Sequence, residues 1–261
     1  MRSFGNGWVR VRLINWNVRS PSEKRAAAQA EWLVASGADV IVLTELRAGS
    51  AGLATLSRLL TESYTIRIPE AEAGNYIVLI ASRKGTARVV DLPLTAYTHR
   101  AVGFIVDTPY GATLLVGVYV PSRGPAHARN LDKSAFQTHL AERLPFILGM
   151  PGVQHTIVAG DLNVVERGHV PHHDVFGEWE YLFYDAFASH GLLDAYRLVS
   201  CQIDHSWFGR SGRGYRFDHS FVSSSLAPHV ASCNYVHSVR ADGLSDHSAM
   251  QLSLGSNAAC N

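Results

Sequence analysis

The sequence predicts one mixed α/β domain spanning residues 1–261, with a strand, helix and strand at its start and antiparallel hairpins after them. Three observations carry this expectation. A helical pattern between two apolar strand patterns opens the chain. Five strand-like segments then succeed one another between Tyr64 and Val120 with no helix among them, a run too long for a pure βαβ repeat. No Pro/Gly/Ser-rich linker, charge block, repeat or low-complexity segment divides the whole.

Val9, Val11 and Leu13 alternate with Arg10, Arg12 and Ile14, which reads as a strand running into Asn15-Trp16-Asn17. Ser22 is placed to cap a helix through Ala35, and Gly37 stands at the expected stop. Asp39–Glu45 is a buried strand that ends in a carboxylate, and a helix is expected near Gly52–Thr61. The hairpin strands are Tyr64–Ile68, Tyr76–Ser82, Ala87–Leu92, Val102–Asp107 and Ala112–Val120. A helix over Ala128–Leu148 sets Leu131, Ala135, Phe136, Leu140 and Leu144 on one face. The apolar run Ile157-Val158-Ala159-Gly160 then stops in Asp161-Leu162-Asn163, two oxygen-bearing side chains two positions apart on one side of a strand end. Trp179–His190 reads as a helix, and the strands Tyr215–Ser223, Val230–His237 and Ser248–Leu254 close the chain.

With 261 residues and 47% hydrophobic content the chain can bury a sizeable core. Its net charge is only +1, so any surface for nucleic acid must be local. Arginine outnumbers lysine 20 to 3, which suits bidentate phosphate contacts and equally fits a bias in genome composition. Cys201, Cys233 and Cys260 are odd in number and far apart, which points to neither a disulfide framework nor a zinc ribbon. Met1–Gly7 lacks the apolar core of a signal peptide, and no apolar run reaches membrane-spanning length. The expectation is a soluble, cytoplasmic monomer with no membrane insertion.

The polar strand ends form the candidate site: Asn17, Glu45, Tyr119, Asp161, Asn163, Asp218, Asp246 and His247. Carboxylates, carboxamides and one imidazole, with no thiolate, favour a hard divalent ion such as Mg²⁺ or Mn²⁺. Such a set suits phosphate-ester hydrolysis, in which the ion neutralises phosphate charge and an Asp handles the attacking water. There is no Gly-x-Ser-x-Gly elbow and no Gly-x-x-x-x-Gly-Lys phosphate loop, and Gly212-Arg213-Gly214 precedes a strand rather than a helix. Serine hydrolase, P-loop and dinucleotide-binding functions are therefore not expected.

Six segments in order are Asn15-Trp16-Asn17-Val18, Leu43-Thr44-Glu45, Val118-Tyr119-Val120-Pro121, Gly160-Asp161-Leu162-Asn163, Tyr215-Arg216-Phe217-Asp218 and Ser245-Asp246-His247. They resemble the motifs of the endonuclease/exonuclease/phosphatase superfamily, over about Val11 to Leu254. The likeness is strongest to its exonuclease III and abasic-site endonuclease branch, through Gly160–Val164, Ser206-Trp207-Phe208 and the Arg-x-Asp strand. The resemblance implies a four-layer sandwich of two face-to-face mixed β-sheets flanked by helices. It also implies that Glu45, with Asn17 and Asp246, holds the metal, that Asp161 activates water, that Asn163 and Tyr119 contact phosphate, and that Asp218 orients His247. The sequence departs from the abasic-site branch at Arg19, where an acidic residue is common; an arginine there removes a ligand or adds a phosphate contact.

Arg210, Arg213 and Arg216 interleave with Trp207, Phe208, Tyr215 and Phe217, a mixture expected to bind nucleic acid by phosphate contact and stacking, or else to form a solvated surface loop. By resemblance Trp207, Tyr215 and Phe217 would wall a sugar pocket. Arg123 and Arg129 lie near enough to Tyr119 in sequence to reach substrate. His169, His172, His173 and Asp174 have no spacing that fixes a helix face, so a flexible loop is expected there rather than a second metal site. The expected activity is that of a Mg²⁺-dependent DNA nuclease of the repair type. Two alternatives stay open: the same fold acting on a phospholipid, inositol phosphate or nucleotide, and a non-catalytic binding module.

Overall fold

The computed structural model describes residues 10–124 and 127–255, so the expectations about Met1–Gly7 and Cys260 fall outside it. The elements run β1 (Val11–Asn17), α1 (Glu23–Ala35), β2 (Val40–Arg47), α2 (Ala51–Thr61), β3 (Tyr64–Arg67), β4 (Tyr76–Arg83), β5 (Ala87–Val90), β6 (Ala101–Thr108) and β7 (Gly111–Tyr119). They continue with α3 (His127–Leu148), β8 (His155–Asp161), α4 (Glu178–Ser189), β9 (Leu192–Asp194), α5 (Ala195–Val199), β10 (Trp207–Phe208) and β11 (Gly214–Tyr215). The last elements are β12 (Asp218–Ser223), β13 (Val230–Val236), α6 (Ser238–Ala241) and β14 (Ala249–Leu254).

Two six-stranded sheets result, ordered β13-β14-β1-β2-β4-β3 and β5-β6-β7-β8-β12-β9, with β10-β11 as a separate ribbon. Each large sheet is mixed: β1 runs parallel to β2 and β7 parallel to β8, while the other neighbours are antiparallel. Period-two alternation divides each strand between two cores. Leu13, Val40, Val42, Val78 and Ile80 of the first sheet face Val102, Phe104, Leu115, Ile157 and Ala159 of the second. Ile14, Ile41, Leu43 and Leu79 point the other way, onto Ala30 and Leu33 of α1 and Leu53, Leu56 and Leu60 of α2. Leu114, Val116 and Val158 meet Phe136, Leu140 and Leu144 of α3 and Phe183 and Phe187 of α4. With both faces covered, the strands carry continuous apolar runs, and each buried Leu, Ile or Phe contributes about 1.5–3 kcal/mol.

Local signals act as the sequence predicts. Ser22 caps α1 by accepting from the Arg25 amide, and Gly37 takes the left-handed backbone with φ +68°. Three expectations are corrected. Leu131 and Ala135 of α3 are exposed; the buried stripe is Lys133, Phe136, Gln137, Leu140 and Leu144, turned toward a buried ion pair of Lys133. The expected strand Tyr215–Ser223 is broken after Tyr215, because Ser206 Oγ accepts from the Phe217 and Asp218 amides at 3.0 and 3.2 Å. The strands Leu192–Asp194 and Trp207–Phe208 are too short to show a period and were not expected.

Gly160 is the tightest point of the second sheet. A Cβ there would lie 1.7 Å from the Val118 carbonyl oxygen, in the middle of the β7–β8 ladder. Gly160→Ala is expected to cost about 3 kcal/mol, read as a lowered urea midpoint with an unchanged slope.

Candidate active site

The site forms where β1, β2, β7, β8 and β12 end. Register does most of the placing: Tyr119 and Asp218 flank Asp161 as its paired residues on β7 and β12. On the facing sheet Asn17 pairs with Thr44, one residue before Glu45. The β2–β4 register shifts between Leu43 and Leu46, and within that irregularity Glu45 adopts φ +58°. A bulge of this kind re-aims a side chain that regular alternation would point elsewhere.

Asn17 is fully buried and bridges the two sheets, its Nδ2 donating to Glu45 Oε2 at 2.9 Å and to Asp161 Oδ2 at 2.8 Å. Its Oδ1 accepts from the Arg19 amide at 2.9 Å, which uses one of that oxygen's two lone pairs. Asp161 Oδ1 accepts the Asn163 amide at 2.9 Å, and Asn163 Nδ2 donates to the Val120 carbonyl at 2.9 Å. His247 Nδ1 donates to Asp218 Oδ2 at 2.7 Å. Its backbone is held by Ser245 Oγ, 3.2 Å from the His247 amide, and by Trp16 Nε1, which donates to its carbonyl at 3.0 Å. Asp246 receives Trp207 Nε1 at 3.2 Å and faces Arg19 Nε at 3.5 Å.

Negative charge is in excess here. Burial, then the neighbouring Asp218 charge, pushes the Asp161 carboxyl up to about 7. Burial also raises Glu45 against the opposing Asn17 hydrogen bond. For His247, burial favours the neutral ring, but the Asp218 charge and hydrogen bond together with the Asp161 and Asp246 charges outweigh it and lift the imidazole up to about 9. Burial, then Glu45 and Asp161, holds the Tyr119 phenol well above its ordinary value, so it is a hydrogen-bond donor at neutral pH. Asp161, Asp218 and His247 bring one ligand atom each within 4.8 Å of one another. Asp218 Oδ1 and Asp246 Oδ1 are buried without a hydrogen-bond partner.

Above this floor lies a cleft of about 850 Å³. Of the residues expected from the sequence, Glu45, Tyr119, Arg123, Asp161, Asn163, Trp207, Tyr215, Phe217, Asp246 and His247 line it, with Asn17 and Asp218 beneath. Trp207, Tyr215 and Phe217 form a three-ring cluster, with Phe217 5.7 Å from Trp207 at 29° and 4.9 Å from Tyr215 at 27°, and Trp207 5.5 Å from Tyr215, making one aromatic wall. Arg100, Arg123 and Arg129 line the cleft with Tyr76 and Asn130. Arg100, whose guanidinium lies 5.3 Å from the Tyr119 ring, and Tyr76 carry no local signal beyond sitting at strand starts. Arg210 and Arg213 do not line the cleft: both are exposed on the turn that joins β10 to β11.

The chain belongs to the endonuclease/exonuclease/phosphatase family, whose model matches residues 14–247. Solved structures of the same fold include the AP endonuclease LMAP from Leishmania major, at 22% identity and TM-score 0.76 over 95% of this chain and 88% of that one. An AP endonuclease from Archaeoglobus fulgidus is similar at 17% identity and TM-score 0.75, over 93% and 98% of the two chains. The 3′ phosphatase NExo from Neisseria, solved with a product DNA hairpin, is similar at 20% identity and TM-score 0.73, over 94% and 99%. No curated protein sequence matches significantly.

Arg216 needs the firmest correction. Expected at the substrate, it is fully buried on the far side of the aromatic wall and pairs with Glu166 Oε2 at 2.8 Å and Asp194 Oδ2 at 2.6 Å. Its amide donates to His169 Nε2 at 3.1 Å. The histidine loop is likewise packed: His169 and His173 are buried, and His173 stacks on Tyr215 at 3.8 Å. Burial alone would raise Glu166, but Arg216 and His219 hold it down at about 2; Asp194, against the same opposing burial, is held well below its ordinary value, chiefly by Arg216. Burial keeps His169 neutral, down to about 4. Depressed carboxyls stabilise the fold above their ordinary range and lose that contribution as pH falls, and a buried neutral His loses its contribution below about 6.5. Between about pH 7 and 4 the raised Asp161 opposes His169, so stability by urea unfolding should change little there and fall steeply below about pH 4, where the depressed Glu166 and Asp194 are protonated. Arg216→Ala should cost about 3–5 kcal/mol at neutral pH, since it strands two buried carboxylates.

Proposed function

We propose that the protein is a divalent-metal-dependent phosphodiesterase that cleaves DNA. The observation that carries this reading is the convergence, on one cleft floor, of an oriented carboxylate at Asp161, a charged His247–Asp218 pair and a surplus of buried carboxylate oxygens.

The donor set fits a hard cation. Glu45 and Asp246 would hold it, with Asn17 Oδ1 keeping one lone pair toward it, while Asp218 Oδ2 is taken by His247. A bound Mg²⁺ or Mn²⁺ would supply charge neutralisation at the phosphate and the leaving oxygen. The chain's own residues account for the remaining work. Asp161, fixed through both oxygens by Asn17 and the Asn163 amide, orients water for in-line attack and accepts its proton. His247, a cation at neutral pH, donates to a non-bridging phosphate oxygen and the Tyr119 phenol adds a neutral donor as charge develops, while Asn163 Nδ2, donating to the Val120 carbonyl and to Asp161 Oδ2, holds the turn beneath them.

DNA as substrate rests on the aromatic wall opposite Arg100, Arg123 and Arg129, which suits a sugar and its flanking phosphates. The DNA hairpin bound by the Neisseria relative supports it. The net charge of +1 favours a second reading, a small phosphoester such as a nucleotide.

Hydrolysis of a panel of abasic duplex, 3′-recessed duplex, 3′-phosphorylated DNA and a nucleotide tests these readings. Activity should vanish with chelator and return with Mg²⁺ or Mn²⁺. Asp161→Asn and His247→Ala should each lower kcat by about a hundredfold to ten-thousandfold. Wild-type turnover by either variant, or turnover in chelator, refutes the mechanism. DNA binding through three arginines should give a log–log salt slope of about −2 to −3, whereas a small substrate should give a shallow one.

A further inference from the structure

Only 3 of the 23 basic side chains are lysines, and Lys133 of α3 has no exposed surface at all. Burying an ammonium is costly unless every proton has a partner. Lys133 Nζ donates to the Asn163 carbonyl at 2.7 Å and pairs with the equally buried Glu180 of α4, and the Phe176 and Trp179 rings lie 5.7 and 5.8 Å away. Glu180 also accepts the Gly177 amide at 2.9 Å and pairs with Arg123.

The first acceptor matters most. Asn163 has φ +49°, a left-handed conformation that costs a non-glycine residue energy and persists only where its surroundings enforce it. Its amide is held by Asp161 and its side chain by Val120, and its carbonyl is held by Lys133.

We propose that Lys133 is a positioning residue of the cleft, holding the left-handed turn at Asn163 through its carbonyl, with Glu180 as the shared counter-ion that ties this hold to Arg123 on the rim. The proposal rests on the phosphodiesterase function proposed above and adds a residue that never touches substrate.

Lys133→Met is the test, because it leaves Glu180 paired with Arg123 and so strands no buried charge. It should lower kcat on DNA by about tenfold to a hundredfold with KM within about twofold. In an Asn163→Ala background the same substitution should cost nothing further, the non-additivity expected of residues acting in series. Hydrogen exchange of the Asn163 amide should speed up in Lys133→Met while the β7 and β8 amides keep their protection. Equal losses of kcat in both backgrounds, or unchanged exchange at Asn163, would overturn the proposal. If the Met variant does not fold, Lys133→Gln, whose amide can still donate to the Asn163 carbonyl, should keep both kcat and Asn163 amide exchange within about twofold of wild type, and a tenfold loss of kcat with unchanged exchange would overturn the proposal. Accelerated exchange in a protein whose wild type cuts no phosphoester would support the positioning role and count against the function instead.

Discussion

Two asparagines of β1 fix how the sheets meet. Asn15, fully buried in the seam, donates from Nδ2 across to the Gly160 carbonyl at 3.2 Å and the His219 carbonyl at 2.9 Å. Two residues on, Asn17 reaches the same facing strand at Asp161. An apolar sandwich core can slide with little loss, but a buried amide stripped of its partners costs about 1–3 kcal/mol. The seam therefore sets the register between sheets, and with it the distance from Glu45 on one to Asp161 on the other. Gly160 is part of the same constraint, since its missing side chain lets the β7 backbone come close while its carbonyl faces Asn15.

Two buried charge clusters sit on either side of the aromatic wall, and their balance separates structure from chemistry. Around Arg216, two carboxylates share one guanidinium, Arg197 adds a second cation to Glu166, and His219 Nδ1 lies 3.7 Å from Asp194. There the carboxyls are driven down, as structural pairs are. On the cleft floor Glu45, Asp161, Asp218 and Asp246 have, among the described residues, ion-pair partners in His247 and an exposed Arg19, and Asp161 is driven up. A cluster that raises the energy of its own charged state is one that a bound cation and a phosphate would complete.

The sequence made the floor legible and left its supports hidden, for a physical reason. Apolar strands that stop in Asp161, Glu45 or Asp218 are visible because polar groups are rare at such positions and recur in order along the chain. The sandwich, too, follows from strands apolar on both faces. Arg216 looked like a substrate contact because its neighbours Tyr215 and Phe217 face the cleft, while its partners Glu166 and Asp194 lie 50 and 22 residues away. Lys133 escaped notice because a lysine on a helix is ordinarily solvated, and the helix periodicity alone put Leu131 and Ala135 inside in its place. Long-range ion pairs leave no local pattern; strand ends do.

Backbone strain gathers at this site. Arg19, Ser20, Glu45 and Asn163 all have positive φ without being glycine, at +52°, +38°, +58° and +49°. Each such residue costs on the order of 1–3 kcal/mol. Hydrogen bonds hold every one: Ser20 donates its amide to the Glu45 carbonyl at 2.7 Å and its hydroxyl to the same oxygen at 3.1 Å, and Asn163 is gripped at amide, side chain and carbonyl. Both halves of the floor, one from each sheet, are thus bent into shape before any substrate arrives. A regular β2 would alternate Glu45 away from the floor, on the opposite face to Thr44. The hydrogen bonds that hold these turns, anchored on two packed sheets, outweigh their strain and keep Glu45 and Asn163 beside Asp161.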